Sequence, residues 1–255
     1  MILRRMGNKS KIAGKIEVYF PEHKIYIEPF FGAGGMFFNK RKSKYEFVND
    51  YDNDVFNLFD VVKNNKEALR REVELMPIHE TLYKYWVDNK ESNKVMKALR
   101  FLFLSNFSYL GQTGQMTCRV TEEIKEIILK KIDPTFERLK NVIFVNCDFR
   151  DIMKHNIFKT ESEKLTAFIY CDPPYLSTAD NYSSSFTEQD SEDLFKVLIQ
   201  SKCKFAMSEF DHPFILEQAK KNGLNTIIIG ERQNIKNRRT EILITNYEQQ
   251  PTLFS

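Results

Sequence analysis

Short runs of β-branched and aromatic residues alternate with helical patterns along this chain, and that alternation limits what it can become. Strands are predicted over 26–30, 46–50, 142–147, 167–171, 204–210, 225–230 and 241–246. Helices are predicted over 36–44, 54–64, 191–201 and 213–221. Such a chain folds as an α/β open sheet, mostly parallel, with helices on its faces. The polar segment 231–240 carries no helical pattern, so the final strand is expected to turn back antiparallel. Between 65 and 141 the alternation stops, and the residues are charged, aromatic and helical in pattern. The expected organisation is an α/β domain from 1–64 and 141–255 with a helical lobe, 65–140, inserted in it. A lobe that merely stabilises the sheet is the plainer alternative.

One strand ends in a chemically loaded way. The run Phe168-Ile169-Tyr170-Cys171 stops at Asp172-Pro173-Pro174-Tyr175. Each proline sets its own φ and keeps the residue before it out of the helical region, so the loop is stiff. It offers the Asp172 carboxylate and the Pro173 carbonyl as two acceptors beside the flat ring of Tyr175. That set suits a planar ring bearing an NH2 group. An amino nitrogen on adenine is a poor nucleophile because its lone pair is delocalised. Two fixed acceptors for its hydrogens draw it toward a tetrahedral form, which is electrostatic preorganisation. A stacked tyrosine would add roughly 1–3 kcal/mol. An ordinary strand-to-turn exit is the competing explanation.

Near the N-terminus, the strand Tyr26-Ile27-Glu28-Pro29-Phe30 runs into the glycine-rich turn Phe31-Gly32-Ala33-Gly34-Gly35 and a helix start at Met36. Glycines allow a ligand to approach the backbone closely. About 20 residues further on, the next strand ends at Asp50, where an acid in a βαβ unit commonly takes a ribose. Tight packing of helix on strand would also use these glycines. Gly7-Asn8-Lys9-Ser10 is no phosphate loop, because Asn8 separates glycine from lysine and no strand precedes it. Lys9 remains able to neutralise a carboxylate.

The chain has 255 residues, 42% of them hydrophobic, enough for one domain with a sizeable core and an insert. A net charge of +3 does not by itself announce nucleic acid. Cys118, Cys147, Cys171 and Cys203 form no C-x-x-C pair and read as reduced thiols of the cytosol. No metal pattern joins them to His23, His79, His155 and His212, so no metal is expected and the histidines are read as structural or surface. No stretch is long enough to span a membrane.

Taken in order, Arg5-Met6-Gly7-Asn8-Lys9, Glu28 to Gly34, Asn49-Asp50, the helical insert, Asp148-Phe149, Asp172 to Tyr175 and Glu241 to Tyr247 closely resemble the Dam-like (D12, class α) DNA adenine N6-methyltransferases. The resemblance covers almost the whole chain and implies a Rossmann-like S-adenosylmethionine-dependent fold. It implies that 1–64 and 141–255 are catalytic and that 65–140 recognises the target. It also implies S-adenosylmethionine as cofactor, leaving as S-adenosylhomocysteine. Met6, Lys9, Glu28, Pro29, Phe30, Phe31, Gly32, Ala33, Gly34, Asp50, Asp148, Phe149 and Asp172 would line that cofactor. Asp172, Pro173, Pro174 and Tyr175 would grip a flipped adenine. Arg5, Tyr109, Leu110, Gln112, Arg119, Tyr182, Phe186 and Arg238 would face duplex DNA. Arg4, Arg100, Lys236 and Arg239 are further basic candidates for phosphate contacts.

Three positions depart from the family pattern. Leu110 stands for an asparagine and Asn106 for an arginine in the DNA-facing stretch, which puts a GATC target in doubt. Glu209 stands where asparagine is commoner. The resemblance further implies a monomer in the cytoplasm of a bacterium or phage-infected host, held on the nucleoid through DNA. A cognate restriction endonuclease would be a functional partner if the chain is half of a restriction-modification pair. The rivals are an RNA adenine methyltransferase and a catalytically silent DNA-binding module. Protein glutamine methylation favours Asn-Pro-Pro-Tyr, and cytosine-C5 chemistry needs a Pro-Cys nucleophile.

Overall fold

The computed structural model describes residues 2–5, 7–108, 116, 121–176, 186–233 and 238–248, without the side chains of 121, 122, 232, 233 and 238. In chain order the first elements are α1 (Ala13–Glu17), β1 (Ile25–Glu28), β2 (Tyr45–Asn49), α2 (Asn53–Asn64), α3 (Lys66–Leu75) and α4 (Glu80–Asp88). There follow α5 (Lys94–Phe107), α6 (Thr121–Leu139), β3 (Ile143–Val145) and β4 (Ala167–Cys171). The last are α7 (Glu188–Ser201), β5 (Lys204–Phe210), α8 (Pro213–Lys221), β6 (Asn225–Gln233) and β7 (Arg238–Thr245). The chain divides into two compact units.

The first unit comprises Met1–Ser10, Gly32–Phe38 and Asp50–Asn146. Helices α2 to α6 dominate it. Asp52 caps α2 by accepting the Asp54 amide at 2.9 Å, and Asn93 caps α5 by accepting from Val95 and Met96. Its core gathers Val55, Leu58, Phe59, Leu69, Leu99, Phe103, Phe107 and Ile128, all buried. The Arg138 guanidinium carbon lies over the Phe37 ring, 3.7 Å from its centre.

The second unit comprises Lys11–Phe31, Asn39–Asn49 and Cys147–Ser255. It holds six of the seven strands of the mixed sheet, in the order β2-β1-β4-β5-β7-β6. The pairs β1–β2, β1–β4 and β4–β5 are parallel, while β5–β7 and β6–β7 are antiparallel. Every residue of β4 is buried, as in a strand covered on both faces. The strand order reverses between β1 and β4, the place where open α/β sheets present ligand crevices beyond the strand ends. Thr187 and Asp190 close a reciprocal capping box at the start of α7.

Two differences from expectation have local causes. Residues 36–44, expected as a helix, form a turn over 36–39 and irregular chain after it. A bond of helical span, Phe38 N to Gly34 O at 2.9 Å, lies at its start. The chain then bends so that the Lys40 ammonium can donate to Arg41 O, Ser43 Oγ and Glu46 Oε1, the last at 2.6 Å. Residues 231–233 and 238–240, between the expected strands, are strand as well, because β6 and β7 pair out to Gln233 opposite Arg238. Among the described residues no helix is long and apolar enough to cross a membrane, and no group of metal-binding side chains gathers. Cys147, Cys171 and Cys203 are free thiols. His79 caps α4, and His23 bridges Pro21 O and Ser43 Oγ.

Candidate active site

Within the first unit, the glycine turn and the acid after β2 meet. Gly32 and Gly34 have φ of 54° and 73°, a region that favours glycine. Gly32 donates its amide to Asp50 Oδ2 at 2.5 Å, and Asp50 Oδ1 accepts the Asp52 amide at 2.8 Å. Asp50 is buried, which pushes its carboxyl up to about 6 despite the Gly32 amide and nearby Arg5. Arg5 donates to Asp52 at 3.0 Å. A Cβ on Gly32 would meet nothing within 4 Å, so the turn borders open space. A Cβ on Gly35 would lie 2.7 Å from the Lys9 amide, so only glycine lets the Gly7–Ser10 turn pack there. Lys9 is buried. The segment leading to it is pinned by α5, where Ser105 donates to Arg4 O at 2.8 Å and Asn106 to Ile2 O at 3.3 Å.

Within the second unit, the ends of β1, β2, β4 and β5 carry the remaining polar groups. Asn49 is buried at the end of β2 and stitches two segments together. It donates to Pro29 O at 2.9 Å and Cys147 O at 3.0 Å, and it accepts the Cys147 amide at 2.9 Å. Asp148 then caps a short 3-10 turn by accepting the Arg150 amide. Arg150 also pairs with Asp148, Asp190 and Asp193 and lies 4.4 Å above the Phe149 ring. Phe30, Phe149 and Phe186 form one aromatic cluster, with ring centres 5.4 to 6.0 Å apart.

Glu28, the last residue of β1, is buried and accepts the Tyr26 hydroxyl at 2.6 Å. Burial pushes its carboxyl up to about 8, against the pull of Tyr26 and Lys40, and the Asp172 charge adds to the rise. Asp172 follows the buried end of β4 and is partly exposed, while Pro173 and Tyr175 are buried. The Tyr175 ring packs edge-on against Phe210 at 4.6 Å and donates its hydroxyl to Glu241 Oε1 at 3.1 Å. Glu209 is buried beside Phe210 and accepts its amide at 2.9 Å.

The structure therefore brings Gly32 and Asp50 together in one unit. In the other it brings Phe30, Phe149 and Phe186 together. Asn106, weighed as a DNA-facing position, is buried and serves the N-terminal segment. Arg100 donates to Trp86 O at 2.7 Å inside the helical part. Met6, Tyr109, Leu110, Gln112, Arg119, Tyr182 and Lys236 lie outside the described residues, as does the Arg238 side chain. Sequence reasoning missed Asn49, Arg150 and Glu241 as organisers. Asn49 and Glu241 stand in the motifs that carry the resemblance but were given no role there, and Arg150 directly follows Phe149.

Several known proteins are similar to this chain. A type II methyltransferase of Lactococcus lactis subsp. cremoris, M1.LlaDCHI, is 26% identical over 94% of this chain and 93% of its own. The DNA adenine methylase of Escherichia coli K12 is 25% identical over 72% of this chain and 69% of its own. Among solved structures, the N-terminal domain of human METTL16 in complex with SAH aligns over 94% of this chain and 67% of its own, with 10% identity and a TM-score of 0.41. The family model of the D12 class N6 adenine-specific DNA methyltransferases matches residues 6–242, and the chain belongs to that family.

Proposed function

We propose that this protein transfers a methyl group from S-adenosylmethionine to N6 of an adenine flipped out of duplex DNA. Family membership makes the chain a DNA adenine methyltransferase with S-adenosylmethionine as cofactor. The observation that carries the finer reading is the stiff Asp172-Pro173-Pro174-Tyr175 loop leaving the buried end of β4, at the reversal of strand order beside β1. Methyltransferases that act on a base take it out of the stack.

The residues present suit the cofactor. The open space at Gly32, with the Asp50 carboxylate fixed on the Gly32 amide, offers an acceptor for ribose hydroxyls. Phe149, with Asp148 before it, offers an apolar ring and a carboxylate for an adenine. When bound, S-adenosylmethionine supplies an activated methyl group on a cationic sulfur. Asp172 and the Pro173 carbonyl accept the two hydrogens of the target amino group and localise its lone pair. Acceptors carried on a proline-stiffened loop need little reorganisation in the transition state. Tyr175 holds the plane of the base. The helical stretch 65–140 recognises the DNA target.

The test is transfer of labelled methyl to duplex DNA, single-stranded DNA and RNA, followed by nucleoside analysis. N6-methyladenine in duplex DNA is the expected product. Label appearing in RNA alone would replace this reading with an RNA methyltransferase.

A further inference from the structure

Strand β7 presents alternate residues to the loop that follows β4. Glu241 Oε1 accepts the Tyr175 hydroxyl at 3.1 Å, and both residues are buried. Two residues earlier, on the same strand face, Arg239 reaches the Leu176 carbonyl at 3.5 Å. Its guanidinium lies 5.4 Å from the Phe210 ring centre. Phe210 stands directly opposite Glu241 in the β5–β7 ladder and meets the Tyr175 ring at 4.6 Å and 76°.

Tyr175 is thus held at two kinds of point. A phenol hydroxyl lies on the axis about which the ring rotates, so the bond to Glu241 fixes where that axis ends. The edge-on contact with Phe210 sets the rotation about it. Burial raises the Tyr175 hydroxyl well above its ordinary pKa, so it keeps its proton and remains the donor.

We propose that Glu241 is a positioning residue, which through the Tyr175 hydroxyl sets the plane in which the target base is gripped. This rests on the methyltransferase reading above. The plainer role, satisfying two buried polar groups, would change stability without changing the turnover of folded enzyme.

The test compares Glu241→Leu, Glu241→Gln, Tyr175→Phe and the Tyr175→Phe/Glu241→Leu double variant. Each is measured for kcat and KM on duplex DNA, for S-adenosylmethionine Kd and for Tm. Tyr175→Phe and Glu241→Leu should each lower kcat by roughly tenfold with cofactor Kd unchanged. The double variant should be no worse than either, because one bond is lost in all three. Glu241→Gln should recover most of the turnover, since its Oε1 still accepts. Multiplying defects in the double variant, or wild-type kcat in Glu241→Leu, would overturn the proposal. Should Glu241→Leu fail to fold, Tyr175→Phe decides: wild-type kcat there overturns it equally. A wild-type protein that leaves duplex adenine unmethylated would instead sink the underlying reading.

Discussion

The Oδ2 atom of Asp50 accepts the backbone amide of Gly32 at 2.5 Å, so the acid after β2 and the glycine turn after β1 form one construction. Its carboxyl is raised to about 6 by burial. Only the carboxylate accepts ribose hydroxyls well. Cofactor affinity should therefore be level above pH 7 and fall as pH drops through about 6, approaching tenfold per unit below that point. Asp50→Ala should cost roughly 1.5–3 kcal/mol of binding. Calorimetry between pH 7 and 5 checks both, and an affinity indifferent to pH and to the substitution would remove Asp50 from the cofactor site.

Glu28 makes a prediction about stability. Its carboxyl lies at about 8 in the folded chain against an ordinary value of 4.5. The folded state thus holds a proton that the unfolded state has lost across that window. Stability falls as pH rises from about 4.5 to about 8, and the cost is complete above it. Glu28→Gln keeps an acceptor for the Tyr26 hydroxyl and removes the buried charge. It should raise Tm at pH 9, by about 2–4 °C for each kcal/mol gained in a chain of this size, and change it little at pH 4. Equal Tm shifts at both pH values would contradict the burial argument.

Asp172→Ala removes an acceptor that matters most in the transition state. Turnover should fall by roughly a hundredfold or more, with S-adenosylmethionine binding near normal. A variant retaining more than about a tenth of wild-type kcat would show that Asp172 is not catalytic.

Asn106 and Tyr109 should part company. Asn106 is buried and donates to Ile2 O and Leu102 O, so Asn106→Ala should cost roughly 1–2 kcal/mol of stability and leave DNA affinity of the folded fraction intact. Tyr109→Ala should do the reverse if the tyrosine wedges against DNA, as minor-groove readers do. Thermal melting and DNA binding on both variants separate the roles. A large loss of Tm in Tyr109→Ala with DNA binding intact would make it a core residue.

Period and local turn chemistry settled much of this protein in advance. The short runs at 167–171 and 204–210, each carrying aromatic and apolar residues, became β4 and β5 at the expected bounds, and all of them but Lys204 are buried. The proline-stiffened exit at Asp172 was legible because two consecutive prolines constrain backbone on their own. The glycine turn was legible for the same local reason. Residues 36–44 were not: their helical pattern yielded to the buried pairing of Lys40 with Glu46, a partner from the next strand. Nor was the tie between Tyr175 and Glu241, which are far apart in the chain and meet only because β7 inserts between β5 and β6. Sequence determines conformation where a residue's own φ or its immediate neighbours decide the energy. Tertiary structure decides which buried polar groups become partners, because a buried donor or acceptor must be satisfied by whatever the fold brings within reach.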